Sequence, residues 1–156
     1  MIAFGCDHGG FELKNFLISR LRFKSIDVED YGTSDRQSVD YPDYAREVAR
    51  RVSGREVDRG VLICTSGIGM SIAANKFPGV RAALVQDLDA ARFSREHNNA
   101  NILVLSGAKT EPSLALQIVE VWLSTPFAGA RHQRRIDKIT QIELDLGTTR
   151  GGESKK

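Results

Sequence analysis

The chain contains no apolar run approaching the roughly 20 residues that a membrane-spanning helix needs. Its first ten residues, MIAFGCDHGG, carry neither the basic cluster nor the long apolar core of an export signal. A cytoplasmic protein is expected. An excess of one charge is also missing: 22 basic residues against 20 acidic ones leave a formal net charge of +2. That is too balanced for a chain that holds nucleic acid or a membrane surface by general electrostatics. Cysteine is scarce, with Cys6 and Cys64 far apart and each at the end of an apolar run. A disulfide scaffold and a C-x-x-C metal pair are both excluded, so any sulfur chemistry belongs to a free thiol. Repeats, low-complexity runs and dividing linkers are absent as well. With 156 residues, 41% of them hydrophobic, a single domain over 1–146 with one buried core is expected.

What is present is an alternation of β-rich runs and amphipathic segments. MIAFGC reads as a strand, and the helix after it places Phe11, Leu13, Phe16, Leu17 and Leu21 on one stripe. SIDVEDYG is a second strand, followed by a loop and a helix over Ala45 to Val52. GVLIC, the most apolar run, suits a strand buried on both faces. A helix over IGMSIAANK, a strand over GVRAALV, a helix over DLDAARFSREHN, a strand over NILVLS and a helix over PSLALQIVEVWLS complete the pattern. The alternation predicts an α/β fold: a doubly wound parallel sheet of five strands with helices on both faces. Arg131 to Leu146 adds a C-terminal helix with no strand to return to, free to dock on its own domain or on a neighbour. The tail 147–156, GTTRGGESKK, has no apolar residue and is expected to be disordered.

In such sheets ligands bind outside the carboxyl ends of the strands, where strand order reverses. Three stretches are expected there: CDHGG after the first strand, CTSGIGMS after the third and REHNNAN before the fifth. In CTSGIGMS, Gly67 and Gly69 allow tight backbone turns and close ligand approach, and the following helix offers unpaired N–H groups and a positive dipole end. A thiolate at Cys64 gains from the same dipole. The dull alternative is a tight turn with an inert buried cysteine. Known loops are excluded: no Walker A run exists, Ile72 stands where a dinucleotide fingerprint needs Gly or Ala, and Met70 stands where a cysteine phosphatase needs arginine. Asp7 with His8 can position a hydroxyl and bind phosphate, or merely cap a helix. His97 with Asn98 suits proton transfer and oxygen binding, or merely a helix end. Arg131 and Arg135, four apart, share a helical face fit for a phosphate monoester, or form a solvated cationic surface. All three histidines fall in these motifs.

Taken in order, GCDHGGFELK, DYPDYA, GVLICTSGIGMSIAANK, SREHNNANILVL and RHQRRIDKI resemble the ribose-5-phosphate isomerase B family, a group that includes the allose- and galactose-6-phosphate isomerases. The resemblance spans about residues 1 to 145. It implies an aldose–ketose isomerase that needs no metal or other cofactor and interconverts ribose 5-phosphate and ribulose 5-phosphate through an enediolate. By this resemblance Cys64 is the general base. Thr65, Ser66, Gly67, Ile68 and Gly69 form the anion hole, and His97 opens the sugar ring with help from Asp7. Asn98 holds a substrate oxygen, while His8, Arg131 and Arg135 hold the phosphate. It also implies a homodimer with shared sites, or a tetramer, with a sugar phosphate as the small-molecule partner. Relatives carry another phosphate-binding arginine after the fifth strand; here that position is Ala108, with Lys109 next to it. Cys6 reads as structural. An allose-6-phosphate isomerase is the near alternative, and a phosphocysteine sugar-transport carrier the alternative of a different class. The carriers tend to place their cysteine after the first strand, and Cys64 follows the third.

Overall fold

A strand that must re-enter its sheet in the same direction needs a crossover, and the helices supply one each time. In the computed structural model, which describes residues 1–147, the strands are β1 (Ile2–Cys6), β2 (Val28–Asp30), β3 (Arg59–Cys64), β4 (Ala82–Leu84) and β5 (Ile102–Ser106). All pair in parallel in the order β2-β1-β3-β5-β4. The helices are α1 (Phe11–Phe23), α2 (Tyr41–Ser53), α3 (Ile68–Ala74), α4 (Leu88–Glu96), α5 (Pro112–Ser124) and α6 (Arg131–Asp145), with a single 3-10 turn over His8–Gly10. The expected doubly wound five-stranded sheet is therefore the observed one. The expected disorder of the tail concerns, past Gly147, residues that lie outside the described ones.

The side-chain period of two divides each strand between two cores. Phe4, Cys6, Val61, Ile63, Leu103 and Leu105 face one way, and α1, α4 and α5 cover them with Leu17, Ala91 and Trp122 among others. Ala3, Leu62, Cys64, Ile102 and Val104 face the other way and meet Val48 and Ala49 of α2 and Met70 and Ala74 of α3. The near-continuous apolar runs of β1, β3 and β5 reflect this burial on both faces.

Three details differ from the sequence pattern. α2 begins at Tyr41 rather than Ala45, because Pro42 sits in the first turn, where a missing N–H costs nothing. The buried stripe of α1 is Leu13, Lys14, Leu17, Ile18 and Leu21, with Phe11 and Phe16 only half-buried. Lys14 is 2% exposed; its Nζ reaches Asp30 Oδ2 at 2.8 Å and donates to the Thr33 carbonyl at 2.9 Å. In α6 only His132 and Ile136 are buried, while Ile139, Ile142 and Leu146 stay exposed.

Candidate active site

Chain order reverses between β1 and β3, the place where an open α/β sheet leaves a crevice at its carboxyl edge. Asp7 follows β1 there; its N–H donates to the Ile63 carbonyl at 3.3 Å, which ties it to β3. Its side chain is 5% exposed and accepts from the N–H groups of Gly9 (2.9 Å) and Gly10 (3.2 Å), so one carboxylate organises the whole turn. His8 projects beside it, half-buried, and its Nδ1 accepts from the Val39 N–H at 3.2 Å. That bond fixes the ring against the loop before α2.

Cys64 ends β3 one residue beyond the pair Cys6 and Ile63, and Sγ accepts from the Gly67 N–H at 3.2 Å. The turn that aims this N–H needs a glycine at 67. Its φ is +78°, and a Cβ would stand 2.5 Å from Leu84 Cδ1 and 3.1 Å from the Leu105 carbonyl oxygen. Thr65, Ser66 and Ile68 are exposed on the loop; the Ile68 N–H points back to Ser66 Oγ at 3.2 Å. The turn after β5 braces the loop from behind. Gly107 N–H donates to the Cys64 carbonyl (2.8 Å), Ala108 N–H to the Thr65 carbonyl (3.1 Å) and Ser106 Oγ to the Thr65 carbonyl (2.7 Å). A thiol 4% exposed, beside a directed N–H and a run of exposed small residues, can hold a sulfur anion and an oxyanion side by side.

One residue that the sequence motifs did not single out belongs to this geography. The ring of Tyr41, first residue of α2, lies over Gly69, so close that a Cβ there would be 2.6 Å from Tyr41 Cζ. Its signal was the DYPDYA block, where the proline marks a helix start and so sets the residue before it at the sheet's carboxyl edge. His132, part of the RHQRRIDKI motif, is buried in the first turn of α6, away from this edge.

His97 and Asn98 are not where the sequence reading put them. A helix returning from β4 to β5 runs toward the amino edge of the sheet, so α4 ends there. The Asn101 N–H donates to the Arg81 carbonyl (3.1 Å), just before β4, and Ile102 pairs with Gly60 at the start of β3. Cys64 pairs with Ser106, four residues on, about 13 Å at ~3.3 Å per residue. REHNNAN therefore lies at the opposite edge from Cys64, and one chain does not bring Cys64 and His97 together.

At that edge the rings of Phe93, His97 and His132 stack in series. Centroids are 5.0 Å apart for the first pair and 4.4 Å for the second, with interplanar angles of 12° and 7°. Ala128 N–H donates to the Glu96 carbonyl at 3.0 Å, bringing the start of α6 onto the end of α4. Desolvation, then the adjacent His97 and the guanidinium groups of Arg131 and Arg135, hold the His132 pKa below its ordinary value, and Arg131 Nε contacts Nε2 at 3.5 Å. Arg131 and Arg135 are exposed beside it, as is Asn98. The structure thus makes two clusters: Asp7, His8, Cys64 and 65–69 at one edge, His97, Asn98, Arg131 and Arg135 at the other.

A free thiol that accepts a backbone N–H at the switch point of an open, doubly wound sheet points to the class: an α/β enzyme with a small-molecule site. Comparison with known proteins narrows it. A sequence profile described as Ribose/Galactose Isomerase matches residues 2–139. Ribose-5-phosphate isomerase B of Escherichia coli (strain K12) is 46% identical over 142 residues, 91% of this chain and 95% of its own. Among solved structures, ribose-5-phosphate isomerase B of Clostridium thermocellum matches with a TM-score of 0.91 at 48% identity, covering 93% of this chain and 98% of that one. Ribose 5-phosphate isomerase of Thermotoga maritima gives 0.88 at 53% identity, covering 90% and 97%. The chain belongs to the ribose/galactose isomerase family.

Proposed function

We propose that this chain interconverts D-ribose 5-phosphate and D-ribulose 5-phosphate, with Cys64 as the base that moves the proton. The observation that carries the reading is the Cys64 sulfur, accepting the Gly67 N–H at the switch point, in a chain 46% identical to a ribose-5-phosphate isomerase B. In the open-chain aldose, the thiolate takes the hydrogen of C2 as a proton. The C–H electrons become the C1–C2 double bond, and negative charge moves onto the carbonyl oxygen O1. N–H groups of 65–69 and the Ser66 hydroxyl stabilise that charge. The thiol returns its proton to C1 while the O2 proton passes to O1, which leaves the ketose. One such oxyanion donor is worth on the order of 100-fold in rate.

His97 would open the furanose ring, assisted by Asp7, while Asn98 holds a sugar oxygen and His8, Arg131 and Arg135 hold the phosphate. Since one chain separates these groups by the height of the sheet, the working unit is a homodimer in which each copy lends its α4–α6 edge to the other's Cys64 edge. A two-fold axis makes both sites complete at once. Exposed Ile68 and Ile72, four apart on α3, and Ile139 and Ile142 on α6 give such a contact its apolar surface. Among the described residues no helix is long and apolar enough to cross a membrane, and a cytoplasmic site of action suits the substrate.

The test is an isomerase assay on one chelator-treated preparation, with ribose 5-phosphate and allose 6-phosphate compared. Undiminished turnover of the pentose, with the hexose much slower, is expected. Turnover of the hexose at an equal or greater rate contradicts the assignment.

A further inference from the structure

The amino edge of the sheet holds a second concentration of positive charge, away from Cys64. A cavity of about 330 Å³ opens there between the end of α2, the strand starts and the α4–β5 turn. Four of its lining side chains are arginines, Arg55, Arg59, Arg81 and Arg95, and the only carboxylate among them is Asp58. Neither Arg131 nor Arg135 lines it.

The hydrogen bonds of Arg59 and Arg95 go to neutral oxygens. Arg95, 6% exposed, donates to the Ala100 carbonyl (2.6 Å), Asn99 Oδ1 (2.9 Å) and the Thr125 carbonyl (3.4 Å). Arg59 donates to the Leu123 carbonyl at 2.7 Å. Both guanidinium groups also lie against the ring of buried Trp122, at 5.4 Å for Arg59 and 5.6 Å for Arg95. Carbonyls satisfy donors without cancelling charge, and a π face cancels little of it. Desolvation, then the like charges of Arg59 and Arg81, push the Arg95 pKa down to about 10. Desolvation also lowers that of Arg59, with Asp58 opposing. Arg81 donates to the carbonyls of Gly79, Asn98 and Asn99, and the excess positive charge of the cavity is carried by Arg55, Arg59 and Arg95. A concave wall in which arginines outnumber the single carboxylate focuses a net positive field on the space it encloses, and the volume falls within the roughly 300–1,000 Å³ of small-ligand sites.

We propose that this arginine-lined cavity is a second anion site that binds a phosphate dianion, free or as a monoester, separately from the Cys64 site. Planar guanidinium forks match phosphate oxygens bidentately. Arg95 and Asn99 bracket His97 and Asn98, so an anion held there stiffens the turn that presents them.

The single tryptophan of the chain is Trp122, which makes its fluorescence a local reporter. The full-length protein is titrated at constant ionic strength with inorganic phosphate and, separately, with glycerol 3-phosphate. A saturable change in Trp122 emission is expected, absent with chloride alone; the tighter of the two ligands identifies the free or esterified form. Arg59→Gln and Arg55→Gln should each raise the midpoint roughly tenfold, the lower end for a charged hydrogen bond. Arg55 is exposed and its replacement leaves the Trp122 contacts in place. The double variant Arg131→Gln, Arg135→Gln should keep the wild-type midpoint. A non-saturable change, or a midpoint that shifts in the double variant and not in Arg55→Gln, overturns the proposal.

Discussion

Cys6 and Cys64 end neighbouring parallel strands, yet the pleat sends their side chains to opposite faces. Cys6 points under α1. Burial pushes its thiol up to about 12 from an ordinary 9.0, against the opposing pull of the Lys14 ammonium and the Thr33 backbone. Cys64, one residue further along on the other face, has the Gly67 N–H on its sulfur and the small-residue loop in front of it. Exposure alone does not separate them, at 0% and 4%. Under the proposed function, the difference between an inert thiol and a working one lies in the next three residues. After Cys6 the chain spends its free N–H groups on the Asp7 carboxylate, whereas after Cys64 a left-handed glycine turns one N–H onto the sulfur.

That contrast can be broken by mutation. The largest effect is expected of Cys64→Ala, which should lower kcat for ribose 5-phosphate by 10²–10⁴, roughly the worth of a positioned base, with an unchanged circular dichroism spectrum. Cys6→Ala should keep kcat within about twofold, because its sulfur is buried under α1 on the opposite face from the Cys64 loop. Next comes Gly67→Ala. A methyl group forced into a left-handed turn against Leu84 and Leu105 should cost about 1–3 kcal/mol and should also lower kcat by misdirecting the N–H, as thermal melts and rates of the same preparation would report. Arg131→Gln should raise KM for the sugar phosphate about tenfold with little change in kcat, since a phosphate contact acts alike on substrate and transition state.

The smallest effect concerns Cys6 and pH. Its folded-state pKa is raised, so between about 9 and 12 the unfolded chain has lost a proton that the folded one keeps, and stability falls as pH rises, by up to about 1.4 kcal/mol per pH unit. Cys6→Ala removes that contribution. Urea midpoints of the two proteins at pH 8 and 10.5 should converge at the higher pH; a constant gap contradicts the burial account.

The strand pattern of β1, β3 and β5 was readable because burial on both faces leaves unbroken apolar runs. The turn after Cys64 was readable because a cysteine, two glycines and a helix start occur within six residues. Lys14 was hidden, since an amphipathic stripe gives no sign that a charged residue joins it by meeting Asp30 and Thr33 from another element. His97 was assigned to the wrong edge because adjacency to β5 in sequence says nothing about which end of the strand it precedes. The direction of α4 decides that. The unpartnered face of α6 was visible as a helix without a strand, and its exposed isoleucines follow from the same fact.

The account stands most directly on whether Cys64 and His97 act from different copies. Two variants each expected to be nearly inactive, Cys64→Ala and His97→Ala, should be mixed, dissociated and reassociated, and assayed with ribose 5-phosphate. Half of the reassociated dimers would pair one chain of each kind and hold one intact site in two, so about one quarter of wild-type activity should return. A mixture no more active than its separate components would contradict the account.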